Sequence, residues 1–201
     1  SNRTVGGKKA VAYFADKFDD PMMYAQLENC VKVPTETILF NIDVEGSVQK
    51  DDTAVLRVFA KVFYEHLGFY GKDLRLAKLE QYISNQGKMD SFKESFKKIR
   101  GKEWEEARGT YNFFKKAVIQ AVVECGAMSE EDAALWFNDK TPVDYSVGQL
   151  VDEIKAYVDS KPKGFRLLFM IDEAGQYIGT NTSMLLNLQS LIEKLGSVCR
   201  G

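Results

Sequence analysis

The chain has 201 residues, 45% of them hydrophobic and 28% charged, and 27 basic against 29 acidic side chains give a formal net charge of −2. Such a balance suits a globular protein with a sizeable core and excludes a global electrostatic drive toward nucleic acid or anionic membrane. No apolar run approaches the ~20 residues that span a bilayer, and Cys30, Cys125 and Cys199 lack the spacing of a zinc framework, so a reducing, cytoplasmic setting is expected.

Ser1-Asn2 resembles the remnant of a cleaved expression tag and carries no fold information. Residues 8–18, "KKAVAYFADKF", place Val11, Phe14 and Phe18 at helical spacing. Pro21 suits the first turn of a second helix reaching about Cys30. After Pro34, the run Ile38, Leu39, Phe40 and Ile42 predicts a buried strand over 37–43 that ends at Asp43. The polar stretch "EGSVQKDD" reads as a loop.

The strongest helix covers 52–67. Arg57, Lys61 and Glu65 form its single polar stripe, so most of its surface is expected to be buried, and Gly68 is placed to cap it. Residues 72–145 read as helical throughout. Leu74, Leu76, Leu79 and Ile83 mark one helix, and Phe92, Phe96 and Ile99 a second. Steps of three and four from Trp104 through Tyr111 and Phe114 to Cys125 mark a third. Gly109 lies inside that third pattern and predicts a kink or break. Tyr111, Phe113 and Phe114 read as core. Ser129 with Asp132, and Ser146 with Gln149, resemble capping boxes. The second box opens an amphipathic helix carrying Leu150, Val151, Ile154 and Tyr157. A strand over 165–172 follows, and a last helix over about 182–195 presents Leu185, Leu188, Ile192 and Leu195.

Both predicted strands end in aspartate: "ILFNID" at Asp43 and "LLFMID" at Asp172, with Glu173 next. In a parallel sheet the carboxyl ends of the strands face one crevice, where ligands bind. An Asp after an apolar strand is the Walker B arrangement: it holds magnesium, usually through water, and an adjacent Glu polarises the attacking water. The same pattern also fits a buried strand followed by a turn or helix acid, and Asp43 reads more simply as the start of a turn. The companion phosphate loop, GxxxxGK[ST], is absent: none of the pairs Gly7-Lys8, Gly71-Lys72, Gly87-Lys88 and Gly101-Lys102 is followed by Ser or Thr. His66, the one histidine, lies on the apolar side of its helix and reads as a core or boundary residue. Lys93, Lys97, Lys98, Arg100 and Lys102 beside Trp104 form a basic run, which interleaved glutamates dilute into a solvated face.

Taken together, "KFDDPMMYA", "PTETILFNID", "RVFAKVFYEHLGFYG", "LVDEIKAYVDSK", "LLFMIDEAGQYIG" and "LNLQSLIEKLG" resemble the large P-loop ATPase of BREX phage-defence systems, the BrxC type, over nearly the whole chain. The resemblance implies an internal piece of a longer bacterial protein that begins just after its Walker A loop. The fold expected from it is α/β and helix-rich: an incomplete, AAA-like P-loop NTPase core with about two parallel strands and a large all-helical insertion. Its parts are 3–50 (helices and strand 2), 51–71 (a core helix), 72–145 (the insertion) and 146–201 (a core helix, the Walker B strand and the following helix). The resemblance assigns Asp172 to magnesium, through water, and Glu173 to the catalytic base. ATP and magnesium are the implied cofactors. The implied partners are other phage-defence subunits, with DNA reached through the complex and no membrane.

In the strand order 5-1-4-3-2 of such ATPases, 37–43 and 165–172 are neighbours, and the outer edge of 165–172 is bare, so self-association through it is expected. The chain alone is expected to be inactive without Walker A. Two other readings stay open. One is a metal-dependent nuclease or phosphatase using Asp43, Asp172 and Glu173. The other is a helical module, 72–145, that docks protein or DNA.

Overall fold

Gly6 and Gly7, at φ 54° and 79°, reverse the chain between β1 (Thr4–Val5) and β2 (Lys8–Lys9), which pair antiparallel. Two consecutive positive φ angles are what a two-residue hairpin demands, and glycine supplies them without steric cost. The computed structural model describes residues 4–9, 12–15, 17, 20–46, 51, 53–139, 143 and 145–199. Of the helix expected over 8–18, the described residues show α1 (Ala12–Ala15), and the hairpin claims Lys8 and Lys9. Val11 and Phe18 lie outside the described residues. The described residues divide into two compact units, one within 1–58 and 146–201 and the other within 59–145.

The first unit is built on a parallel pair. After α2 (Pro21–Lys32), which starts at a proline behind the Asp20 cap, β3 (Thr35–Asn41) runs beside β4 (Arg166–Asp172), with Thr35 opposite Arg166 and Asn41 opposite Asp172. Two parallel strands with helices between them agree with the α/β, helix-rich expectation. β3 stops two residues before the expected end at Asp43. The Asn41 side chain accepts hydrogen bonds from the N–H groups of Asp43 (3.0 Å) and Val44 (3.1 Å), and so caps α3 (Ile42–Glu45). Asparagine competes well as a cap and poorly as a strand residue.

The two faces of the sheet differ. Ile38 and Phe40 are buried. On their face, Glu36 accepts from the Tyr157 hydroxyl (2.6 Å) and Lys161 Nζ (3.1 Å), which ties α10 (Val147–Asp159) and the residues after it to β3. The opposite face is bare: Leu39 is 71% exposed, Leu168 45% and Met170 52%. The reading of both strands as fully buried is therefore corrected to half-buried. The remaining elements of this unit are α11 (Ala174–Ile178) and α12 (Thr182–Val198). α12 buries Met184 and Leu191, with Leu188 and Leu195 half-buried. Leu185 and Ile192, expected on the inner face, are exposed.

α4 (Ala54–His66) crosses the division between the units. Val55, Phe59 and Phe63 are buried, and Arg57 and Glu65 are exposed on the polar stripe. Gly68, at φ 90°, closes the helix, and Phe69 N–H donates to Tyr64 O at 2.9 Å.

In the second unit, α5 (Leu74–Asn85), α6 (Met89–Arg100), α7 (Trp104–Ala107), a 3-10 helix (Arg108–Phe114), α8 (Lys115–Glu124) and α9 (Glu130–Asn138) enclose one apolar cluster. Trp104 stands edge-on to Phe92 and Phe96, 5.0 Å from each ring centre, the arrangement that suits aromatic quadrupoles. The break expected near Gly109 is present: Thr110 is non-helical at φ −122°, ψ 19°. Phe113, expected in the core, is 90% exposed, because the 3-10 turn rotates it away from Tyr111 and Phe114. Among the described residues of this unit, Glu80 is the buried charged one. It accepts from Trp104 Nε1 (2.6 Å), Arg108 Nη1 (3.1 Å) and Tyr70 N–H.

Candidate functional site

β4 delivers Asp172 as its last residue, exposed at the carboxyl end of the parallel pair. Its Oδ1 accepts from the Glu173 N–H at 2.9 Å. Glu173 adopts φ 60°, ψ 19° and is, among the described residues, the one non-glycine with positive φ. A left-handed glutamate costs roughly 1–2 kcal/mol relative to ordinary backbone, and such outliers concentrate at functional sites. This turn lets α11 begin directly after the strand, with Glu173 O accepting from Tyr177 N–H at 3.0 Å.

α11 packs on α3, so the segments that follow the two strands meet. Their contact is the ring of Tyr177 against Gly46: a Cβ at Gly46 would lie 2.5 Å from Tyr177 Cε2, so glycine is required for this approach. Tyr177 is buried, and its phenol is held above its usual pKa. Burial is the main cause, opposed by the charge of Arg57 and reinforced by those of Asp43 and Asp51. Arg57 in turn grips Asp51 with both terminal nitrogens (3.1 and 3.0 Å to Oδ2) and donates to Thr53 Oγ1 at 2.6 Å. The Thr53 hydroxyl bonds to Asp51 at 2.8 Å, and it and Arg57 lower the Asp51 pKa.

No protein-family model and no solved structure matches the chain. The site therefore stands on its own geometry.

Of the sequence candidates, Asp172 and Glu173 are adjacent at the end of the sheet. Asp43 sits in the first turn of α3, not at the end of a strand. Among the described residues, no three His, Cys, Asp or Glu side chains gather to hold a metal, so Asp43, Asp172 and Glu173 do not form the cluster that a metal nuclease or phosphatase requires. His66 is half-buried at the last residue of α4. The basic run is partly neutralised: Lys93 pairs with Glu105 at 2.6 Å, Lys97 pairs with Glu103, and the Arg100 guanidinium lies over the Phe114 ring. No described helix is long and apolar enough to cross a membrane.

Sequence reasoning missed Arg57, Tyr177 and Gly46. Arg57 counted there only as one member of a solvent stripe. The spacing Asp51-x-Thr53-x-x-x-Arg57 was the available signal, since it places an acid and a hydroxyl in reach of a cation one helical turn on.

Proposed function

We propose that this chain carries the acidic half of a P-loop ATP site, as in the large BREX phage-defence ATPase that its sequence resembles. On this reading Asp172 holds magnesium through water and Glu173 polarises the water that attacks the γ-phosphate. One observation carries the reading: the Asp-Glu pair stands at the carboxyl end of a strand in a parallel pair, and Glu173 is kept there in a strained left-handed turn. Adjacent parallel pairing of β3 and β4 supports it, because strands 2 and 3 are neighbours in the order 5-1-4-3-2.

Asp172 fits the magnesium role, being exposed and close to the turn, with one oxygen already ordered by a backbone N–H. Magnesium, when bound, offsets phosphate charge in the transition state. The chain's own contribution is positional. The parallel pair fixes the strand end, the left-handed turn fixes the step from Asp172 to Glu173, and Tyr177 wedged on Gly46 holds α11 in place. The phosphate-cradling amides and lysine come, on this reading, from elsewhere in a longer cytoplasmic protein. That protein works with other phage-defence subunits and reaches DNA through them, and the helical unit offers them a contact surface.

The test is a substitution in that longer protein. Glu173→Gln slows ATP hydrolysis by about 10²-fold or more while nucleotide binding persists. Unchanged hydrolysis removes Glu173 from the base role. The 201-residue chain alone neither binds ATP tightly nor turns it over, and turnover abolished by Glu173→Gln in this chain would refute the half-site reading.

A further inference from the structure

The strand "RLLFMID" is complementary to itself, and we propose that two copies of this chain pair antiparallel through β4, centred on Phe169, to form a two-fold dimer with a continuous four-stranded sheet. This inference concerns the 201-residue chain and does not rest on the ATPase reading, whose strand order 5-1-4-3-2 gives the same edge of β4 to strand 4. It starts from the backbone. Arg166 N–H donates to Pro34 O at 2.9 Å, and Thr35 is the partner of Arg166 in the parallel ladder. The main-chain groups of Arg166, Leu168, Met170 and Asp172 therefore point toward β3. Those of Leu167, Phe169 and Ile171 point the other way, to an edge that no described strand occupies. An unpaired edge of this kind is a template for another strand. Edges that avoid pairing carry a proline or an interior charge, and the interior of β4, Leu167 to Ile171, has neither.

The register follows from the charges. Pairing centred on Phe169 sets Leu167 opposite Ile171 of the other copy and Phe169 opposite itself, and these are the residues whose N–H and C=O groups face outward. About six main-chain hydrogen bonds result. The same register sets Arg166 of one copy opposite Asp172 of the other, twice, on the bare face of the sheet. Between the two charge pairs, Leu168 stands opposite Met170, also twice. Arg166, Leu168, Met170 and Asp172 are all exposed in the single chain. Shifting the centre to Leu168 or Met170 breaks both charge pairs, so the centred register is selected. Opposite charges and apolar side chains directly across a strand pair are each stabilising, and like charges there are destabilising. A two-fold interface closes on itself, so this edge of β4 joins two copies and no more. The product replaces a marginal two-stranded sheet with four strands.

The experiment is sedimentation equilibrium of the 201-residue chain across a wide concentration range, with charge swaps. The expected species is a dimer. Arg166→Asp and Asp172→Arg each raise its dissociation constant about tenfold or more, and the double swap Arg166→Asp/Asp172→Arg restores it. That rescue separates pairing from misfolding. A chain that stays monomeric, one that grows past two copies, or single swaps without effect would each overturn the proposal. Register is read separately, in chains whose Cys30, Cys125 and Cys199 are replaced by Ser. Mixing Leu168→Cys and Met170→Cys chains gives an intermolecular disulfide. Failure of the mixed pair to cross-link while either chain links to itself would overturn the centred register.

Discussion

Glu173 and Glu80 show two ways in which one carboxylate governs its surroundings. Glu173 holds a backbone conformation that its own Cβ opposes. Replacing it with glycine removes the opposition. Glu173→Gly is expected to stabilise the chain by about 1 kcal/mol relative to Glu173→Ala, measured by denaturant titration. Equal midpoints for the two variants would show that no strain is stored at this turn. Glu80 is the opposite case, buried and fully engaged. Removing it leaves the Trp104 and Tyr70 N–H groups without their acceptor and takes the carboxylate from Arg108, whose Nη1 keeps the Gly68 carbonyl at 3.0 Å. A buried donor left without its acceptor costs about 1–3 kcal/mol, so Glu80→Ala is expected to lower the unfolding free energy of the helical unit by about 2–5 kcal/mol. Trp104 and Trp136, the two tryptophans of the chain, both lie within 59–145 and report that unit by intrinsic fluorescence. A shift under 1 kcal/mol would mean that the network is dispensable.

Between elements, the clearest coupling is Asp73 with Tyr111. Asp73 caps α5 through the Leu76 N–H, and its second oxygen accepts from the Tyr111 hydroxyl of the 3-10 helix at 2.9 Å. Burial, and then the Asp73 charge, push the Tyr111 phenol up to about 12. A phenol raised above its unfolded value of about 10 contributes stability in full below that value and loses it as pH rises toward about 12. The stability advantage of wild type over Tyr111→Phe is therefore expected to be flat up to about pH 10. It then shrinks by roughly 3 kcal/mol toward pH 12; parallel curves would contradict the link. Elements of this strength were legible in the sequence. α5, α6 and α10 carry an unambiguous helical period, and Ser146 forms the full reciprocal box with Gln149. Ser129 forms only half a box, because the shorter Asp132 side chain takes a bond from the Ser129 hydroxyl instead of reaching the cap N–H. On α12 the apolar residues fall in adjacent pairs, Met184-Leu185 and Leu191-Ile192, so periodicity alone could not say that Met184 and Leu191, and not Leu185 and Ile192, turn inward. At the site, an apolar run ending at Asp172 was legible. The left-handed turn at Glu173 and the meeting of Arg57, Tyr177 and Gly46 were not, because they are set by packing between segments distant in sequence.

At the scale of the whole molecule, the sheet is the unfinished part. Its covered face is tied to α10 through Glu36 and Tyr157, and its other face and outer edge present apolar side chains and outward main-chain groups. The net charge of −2 opposes association only weakly. These features make hydrogen exchange along β4 a sensitive reporter, since successive amides point in opposite directions. In a single chain the amides of Leu168 and Met170 are held by β3 and exchange slowly, while those of Leu167, Phe169 and Ile171 face the open edge and exchange fast. Pairing through that edge protects the second set without changing the bonds of the first. Raising protein concentration through the dimer transition is therefore expected to slow Leu167, Phe169 and Ile171 by the factor that the dimer population dictates. Leu168 and Met170 are expected to change much less, and Arg166→Asp is expected to move the concentration dependence to about tenfold higher concentration or beyond. Uniform slowing of all five amides would point to general stiffening of the unit. Fast exchange of the alternate set at every concentration would mean that the edge stays open.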